Sequence, residues 1–306
     1  MVAALGDSIS AGLGSGAKSI VELMNEYRGK SWSMGGDYDL SRSVTLPNLL
    51  RQFNPNLKGF SLGTDSCRDT TKGKGLNVAT SGHQSSHIPE QAKLLVERLK
   101  ASRAVDFAND WKMVTMFVGG NDLCRYCKSK QFYTPGSYIN SIRQGLDILY
   151  EQVPRVFVNL VTIFNVSEMK HLNKGLLCST LHHFVCDCAA FPKSTEQEIE
   201  LKNLYKNYQQ LTEELVASDR YKQKREDFAV VIQPFMKNLE LPKKANGQID
   251  FTYFAPDCYH LSLKGHALAA IALWNNMFQP TASKAMSWTL NSKPICPSES
   301  QPYLLT

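Results

Sequence analysis

Four short segments of the chain carry residues that together could cleave an ester. They are Gly6-Asp7-Ser8 near the start, Thr80-Ser81-Gly82, Gly119-Gly120-Asn121-Asp122, and Asp257-Cys258-Tyr259-His260 near the end. A serine hydroxyl is a weak nucleophile at neutral pH and needs an adjacent base. Ser8 is the candidate nucleophile and His260 the candidate base, with Asp257 three residues earlier as the carboxylate that holds the imidazole in one tautomer. Acyl transfer also passes through a tetrahedral oxyanion that preorganised N–H donors must meet. The backbone N–H groups of Ser8 and Gly82 and the side-chain amide of Asn121 are the candidate donors. Asp7 adjoins the nucleophile, but His260 has the more suitable pKa for a base and Asp7 is read as turn-forming. Each segment also has a plain structural reading: a helix-capping serine, a Gly-Gly-Asn-Asp turn, a surface or capping histidine. All four together, in this order, favour the chemistry.

The elements that must position these residues are readable as periodicity. Short apolar runs at 2–5, 76–79, 113–118, 155–163 and 228–233 read as buried strands. Helical stretches at 91–102, 137–152 and 195–217 alternate with them, and 265–274 reads as a buried helix in which His266 packs rather than reacts. Alternation of this kind predicts an α/β fold with a mostly parallel central sheet and helices on both faces. In such sheets ligands lie beyond the carboxyl ends of the strands, where Ser8, Gly82 and Asn121 would fall. The glycines around Ser8 lack the Gly-Lys-Ser/Thr ending of a phosphate loop. The longer insertions at 27–74 and 167–194 are the expected substrate-contacting loops.

The four segments resemble the conserved blocks of the GDSL/SGNH hydrolase family. Its Ser, Gly, Asn and His fall on Ser8, Gly82, Asn121 and His260, with Asp257 completing the triad. The longer block that begins at Asp257 and runs on through Gly265-His266-Ala267 to Met277 is similar to the animal phospholipase B branch of that family. The resemblance covers residues 1–280 as one hydrolase domain and leaves 281–306 as a polar tail. It implies a three-layer α/β/α, flavodoxin-like fold with phospholipids and lysophospholipids as substrates. Phospholipase A and lysophospholipase activity follow from it, with retinyl or other neutral esters as further substrates, transient contact with a membrane surface, and no cofactor. Ile9 stands where the family name has Leu, a volume-conserving change. The chain opens at Met1 inside the expected first strand, so flanking sequence is expected beyond it. The alternative reading is a catalytically silent member of the same fold that binds lipid or a partner, because Ser8 needs a well-supported turn.

Composition narrows the setting. The net charge of +6, from 34 basic and 28 acidic residues, is modest and scattered, which argues against a nucleic-acid partner. Eight cysteines suggest disulfides and an oxidising compartment. Cys124 and Cys127 directly follow Asn121 and read as a structural disulfide site, locally or to another loop, more than as a thiol redox pair. His182 and His183 with Cys178, Cys186 and Cys188 lack a recognisable zinc spacing, so no metal is expected. Asn165-Val166-Ser167 is a glycosylation sequon. The resemblance implies an extracellular or apical cell-surface location. The chain shows neither a signal peptide nor an apolar run long enough to span a bilayer. An anchor or signal is expected outside these residues, or else the chain is a shortened product outside the secretory route.

Overall fold

The computed structural model describes residues 1–66, 75–222 and 225–306. Cys67, the end of the 27–74 insertion and residues 223–224 lie outside the described residues. Among the described residues six strands are present: β1 (Val2–Gly6), β2 (Asn25–Glu26), β3 (Asp65–Ser66), β4 (Lys112–Phe117), β5 (Val156–Val161) and β6 (Phe228–Gln233). Eight α-helices accompany them: α1 (Ser8–Ala11), α2 (Leu46–Leu50), α3 (Ile88–Ala101), α4 (Gly120–Arg125), α5 (Pro135–Gln152), α6 (Gly175–Ala190), α7 (Thr195–Ala217) and α8 (Leu263–Met277).

The main sheet is parallel with spatial order β1-β4-β5-β6, while β2 and β3 form a two-residue antiparallel ribbon. Strand β1 is buried along its whole length, as expected for a parallel strand covered on both faces. Helices α3, α5 and α7 pack side by side on one face, and α2 packs with α8 on the other. The arrangement is a three-layer α/β/α fold. The core is continuous from the sheet into the helices. Trp32, fully buried, meets Phe117 and Phe235 edge-on in it.

The segment expected as a strand at 76–79 departs from that expectation in detail. It runs parallel beside β1 through Ala4 N–H to Leu76 O, Val78 N–H to Ala4 O and Thr80 N–H to Gly6 O, with one bridge at Asn77. Regular strand geometry is lost because the Asn77 side chain accepts the Ala79 N–H at 3.2 Å. On its outer side the Arg28 guanidinium takes the carbonyls of Asn77 and Ala79 at 3.3 and 2.9 Å. A side chain thus closes the sheet edge where another strand would otherwise pair.

Helix starts follow capping chemistry. The predicted start at 137 moves back to Pro135, because Thr134 caps the helix by accepting the Ser137 N–H and proline suits the first turn. Likewise α3 begins at Ile88, with Pro89 in its first turn. Helix α7 starts after the Ser194 cap and carries Glu196 and Glu198 in its first turn, where the helix dipole favours acids. The 167–194 insertion, expected as loop, is largely a 3-10 turn (Val166–Leu172) followed by α6. Asn165 caps that turn by accepting the Ser167 N–H at 3.0 Å.

Residues 281–306 lie along the end of α8. Trp274 Nε1 donates to Ile295 O, Leu305 N–H to Met277 O, and Gln301 Nε2 to Phe278 O. Among the described residues no helix is long and apolar enough to cross a membrane.

Candidate active site

Strand β1 delivers its last residue into a tight space. A Cβ on Gly6 would stand 2.4 Å from the Phe117 carbonyl of β4, so only glycine lets the two strand ends approach. The Gln91 amide then clamps both backbone groups of Gly6, accepting its N–H and donating to its carbonyl, each at 2.8 Å. Asp7 caps α1 by accepting the Ile9 N–H at 3.0 Å. This is the turn-forming role expected of it, and burial pushes its carboxyl up to about 7. Ser8 follows, buried, at the start of α1.

Ser8, His260 and Asp257 converge. His260 Nε2 lies 2.8 Å from Ser8 Oγ, and His260 Nδ1 lies 2.5 Å from Asp257 Oδ2. With Nδ1–H donating to the carboxylate, Nε2 is left to accept from the serine hydroxyl. The other carboxylate oxygen accepts the Tyr259 and His260 N–H groups at 3.1 and 3.0 Å, so Asp257 is fixed by its own loop. His182 Nε2 donates to the Asp257 carbonyl at 2.9 Å from α6. Burial by itself would lower the His260 pKa, but the Asp257 charge and hydrogen bond outweigh it and hold the imidazole above its ordinary value. For Asp257, burial pushes upward and the charge and hydrogen bond of His260, with the two loop N–H groups, bring it below the usual carboxylate range. His266 is buried six residues further on. Its Nδ1 accepts the Trp32 N–H at 3.1 Å, and burial lowers its pKa to about 3, so it packs as a neutral ring.

Gly82 and Asn121 face Ser8 and His260 across a cleft of about 530 Å³. Gly82 adopts a left-handed φ of 81°, with open space where a side chain would project. Strand β4 breaks at Gly119, also at positive φ, and α4 begins at Gly120. The Asn121 amide donates to the His83 carbonyl at 2.8 Å, which holds it against the Gly82 loop. Every site residue nominated from the sequence therefore borders one cleft or the triad behind it.

Several supporting groups escaped the sequence reading. Asp122 is buried and accepts both the Ser85 N–H and the Ser85 hydroxyl, tying α4 to the turn after Gly82; burial raises it to about 6. Ser81 Oγ donates to Glu26 Oε1 at 2.6 Å, while Glu26 Oε2 pairs with Arg28 Nη2 at 2.6 Å, both side chains being fully buried. The 27–74 insertion was expected to touch substrate. None of its described residues borders the cleft, and Arg28 instead supports the segment leading to Gly82 from behind. The 167–194 insertion does reach the cleft, through Phe184 and Val185 of α6.

The cysteines pair across these elements. Cys124–Cys186 and Cys127–Cys188 fasten the segment after Asn121 to α6, and Cys178–Cys258 fastens α6 to the Asp257–His260 loop. Cys124 and Cys127 are thus each paired with α6 and not with one another, and the sulfurs near His182 are occupied in disulfides. Cys296 is exposed and unpaired among the described residues.

The family model of the GDSL-like lipase/acylhydrolases matches residues 2–273. Over its full length the chain is 40% identical to "Phospholipase B1, membrane-associated" of Homo sapiens and 39% identical to the Mus musculus protein of the same name. The chain spans about a fifth (21%) of the length of these curated relatives. Among solved structures it is similar to an acetyl esterase mutant with acetate ion at 15% identity and a TM-score of 0.43, covering 88% of this chain and 91% of the other. A putative GDSL-like lipase from Parabacteroides merdae aligns over the same shares at 15% identity and a TM-score of 0.46. With a family match from the first strand into the last helix, and relatives at this identity along its whole length, the chain belongs to the GDSL-like lipase/acylhydrolase family.

Proposed function

We propose that this chain is a serine ester hydrolase that cleaves the acyl esters of glycerophospholipids and lysophospholipids, with residues 1–280 as its hydrolase domain and 281–306 as a tail. The observation that carries the reading is the Ser8–His260–Asp257 relay, at 2.8 and 2.5 Å, bordering the cleft that also holds Gly82 and Asn121.

In this mechanism Ser8 Oγ attacks the ester carbonyl carbon as His260 Nε2 takes the hydroxyl proton. Asp257 stabilises the imidazolium so formed without taking the proton itself. The N–H groups of Ser8 and Gly82 and the Asn121 amide receive the oxyanion. Asn121 Nδ2 carries two hydrogens, and with one on the His83 carbonyl the other serves the oxyanion. Collapse expels the glycerol oxygen, which takes the proton from His260, and leaves an acyl group on Ser8. Water deprotonated by His260 then releases the fatty acid by the same route.

The lipid substrate rests on the names of the relatives, which are called phospholipases and membrane-associated. Transient contact with a lipid surface is supported by Phe184, 81% exposed at the cleft, and Leu176, 86% exposed on the same helix. Labelling with a fluorophosphonate, mapped by peptide mass, tests the assignment. It is expected to mark Ser8, and Ser8→Ala is expected to lose both the label and the release of fatty acid from lysophosphatidylcholine while staying folded. Ester cleavage retained by Ser8→Ala would sink the mechanism. A folded wild-type chain that neither labels nor turns over would indicate a silent binder.

A further inference from the structure

The wall of the cleft that continues from Asn121 is cationic. Asn121, Arg125 and Lys128 stand at i, i+4 and i+7 along α4 and the 3-10 turn Tyr126–Lys128 that prolongs it. Residues at that spacing share a face, with neighbouring Cβ atoms roughly 5–6 Å apart. All three line the same cleft as Ser8, and no Asp or Glu among the described residues lines it. The field inside the cleft is therefore positive, in a site walled by protein.

Arg125 is held in place. With the Gln84 amide turned so that its oxygen faces the guanidinium, it accepts from Arg125 Nε at 3.2 Å and from Nη1. The backbone beneath is fastened to α6 by the Cys124–Cys186 and Cys127–Cys188 disulfides. Neither Arg125 nor Lys128 forms an ion pair among the described residues. Ser129 and Tyr133, in the same wall, add hydroxyl donors.

We propose that Arg125 and Lys128 form a phosphate subsite, which takes the phosphodiester of a lipid whose acyl ester lies at Ser8. The inference rests on the ester hydrolase reading above. A guanidinium grips phosphate oxygens in a two-pronged geometry, and a lysine adds a point charge beside it. The carboxylate of a released fatty acid would form at Ser8 itself, against the oxyanion donors. An anion gripped one helical turn away belongs instead to the part of the substrate beyond the scissile ester. In a glycerophospholipid the glycerol backbone places phosphorus only a few bonds from that ester, which matches one turn of α4.

The test compares palmitoyl-lysophosphatidylcholine with monopalmitoylglycerol, the same acyl glycerol without phosphate, in matched detergent micelles. The wild-type chain is expected to favour the phospholipid in kcat/KM. The Arg125→Ala/Lys128→Ala variant is expected to lose roughly tenfold to a hundredfold of that preference, with Arg125→Lys intermediate. Fluorophosphonate labelling of Ser8 reports that each variant is folded. A preference that survives the double substitution while both lipids turn over would overturn the subsite and leave the ester hydrolase standing. Turnover of neither lipid by the wild-type chain would remove that reading, and the subsite with it. Inorganic phosphate separates the two sources of the anion. A headgroup site leaves monopalmitoylglycerol turnover insensitive to millimolar phosphate. Inhibition that disappears in the double variant would make this a free-phosphate site and overturn the headgroup assignment.

Discussion

The Ser81 hydroxyl donates to Glu26 at 2.6 Å, and the same carboxylate binds Arg28 at 2.6 Å through its other oxygen. By this route the loop that carries Gly82 is tied to a fully buried ion pair that also closes the edge of the sheet. Glu26→Ala would leave the Arg28 charge buried with Asp65, 3.7 Å from its Nε, as its one remaining carboxylate among the described residues. Breaking one side of a buried pair costs about 3–5 kcal/mol. The expected outcome is a fall of that order in urea-unfolding stability, together with a lower kcat as the Gly82 loop loses its tether. A variant as stable as the wild type would show that the pair does not hold this edge.

Asn121→Ala removes one of the proposed oxyanion donors and leaves the proposed nucleophile and base in place. Loss of such a donor lowers kcat by about a hundredfold to a thousandfold, and KM is expected to change far less. Steady-state kinetics on a soluble short-chain ester measures the split. A loss confined to KM would move Asn121 from transition-state stabilisation to substrate binding.

Asp257→Asn bears on both rate and pH dependence. The proton on His260 must be absent for Ser8 to be activated, so kcat/KM rises with pH as the imidazole deprotonates. In the wild-type chain Asp257 holds that midpoint above the ordinary imidazole value of about 6.5. Replacing the carboxylate leaves burial, which acts downward, opposed by the smaller upward pull of Asp7 alone. The midpoint is therefore expected to fall in Asp257→Asn, with kcat reduced by about ten-thousandfold. A pH–rate profile of the two proteins decides it. A midpoint that stays or rises would show that another group controls activity.

Most of the sheet, and the convergence of the nominated site residues, were legible in the sequence, for different reasons. Strands such as β4 and β6 announce themselves as apolar runs because a parallel strand is buried on both faces. Ser8, Asp257 and His260 could be nominated together because acyl transfer accepts few residue types in few roles, and the fold brings the three within hydrogen-bond reach. Helix α7 was legible to the residue, since Ser194 caps it and acids fill its first turn. What was hidden depends on contacts between distant parts of the chain. Nothing in Asn25-Glu26-Tyr27-Arg28 indicates that Arg28 will meet the carbonyls of Asn77 and Ala79. The same is true of Gln91 on Gly6, of Asp122 on Ser85, and of cysteine partners 61 to 80 residues apart.

The Cys178–Cys258 bridge joins α6 to the loop of Asp257 and His260. A disulfide closing a long loop contributes about 2–4 kcal/mol. The Cys178→Ser/Cys258→Ser variant is expected to lose stability in that range and to lose kcat more than KM, because the base is freed from its support. Thermal unfolding and kinetics on one preparation check both. Unchanged kcat with lowered stability would confine the bridge to a mechanical role.

Ser8 and His260 touch although they stand 252 positions apart in the chain. The segment that carries His260 is therefore made long after the one that carries Ser8. No growing intermediate can bring the pair together before the loop of His260 has been made and has docked beside Ser8. Under the proposed hydrolase function, that delay keeps the unfinished chain inactive.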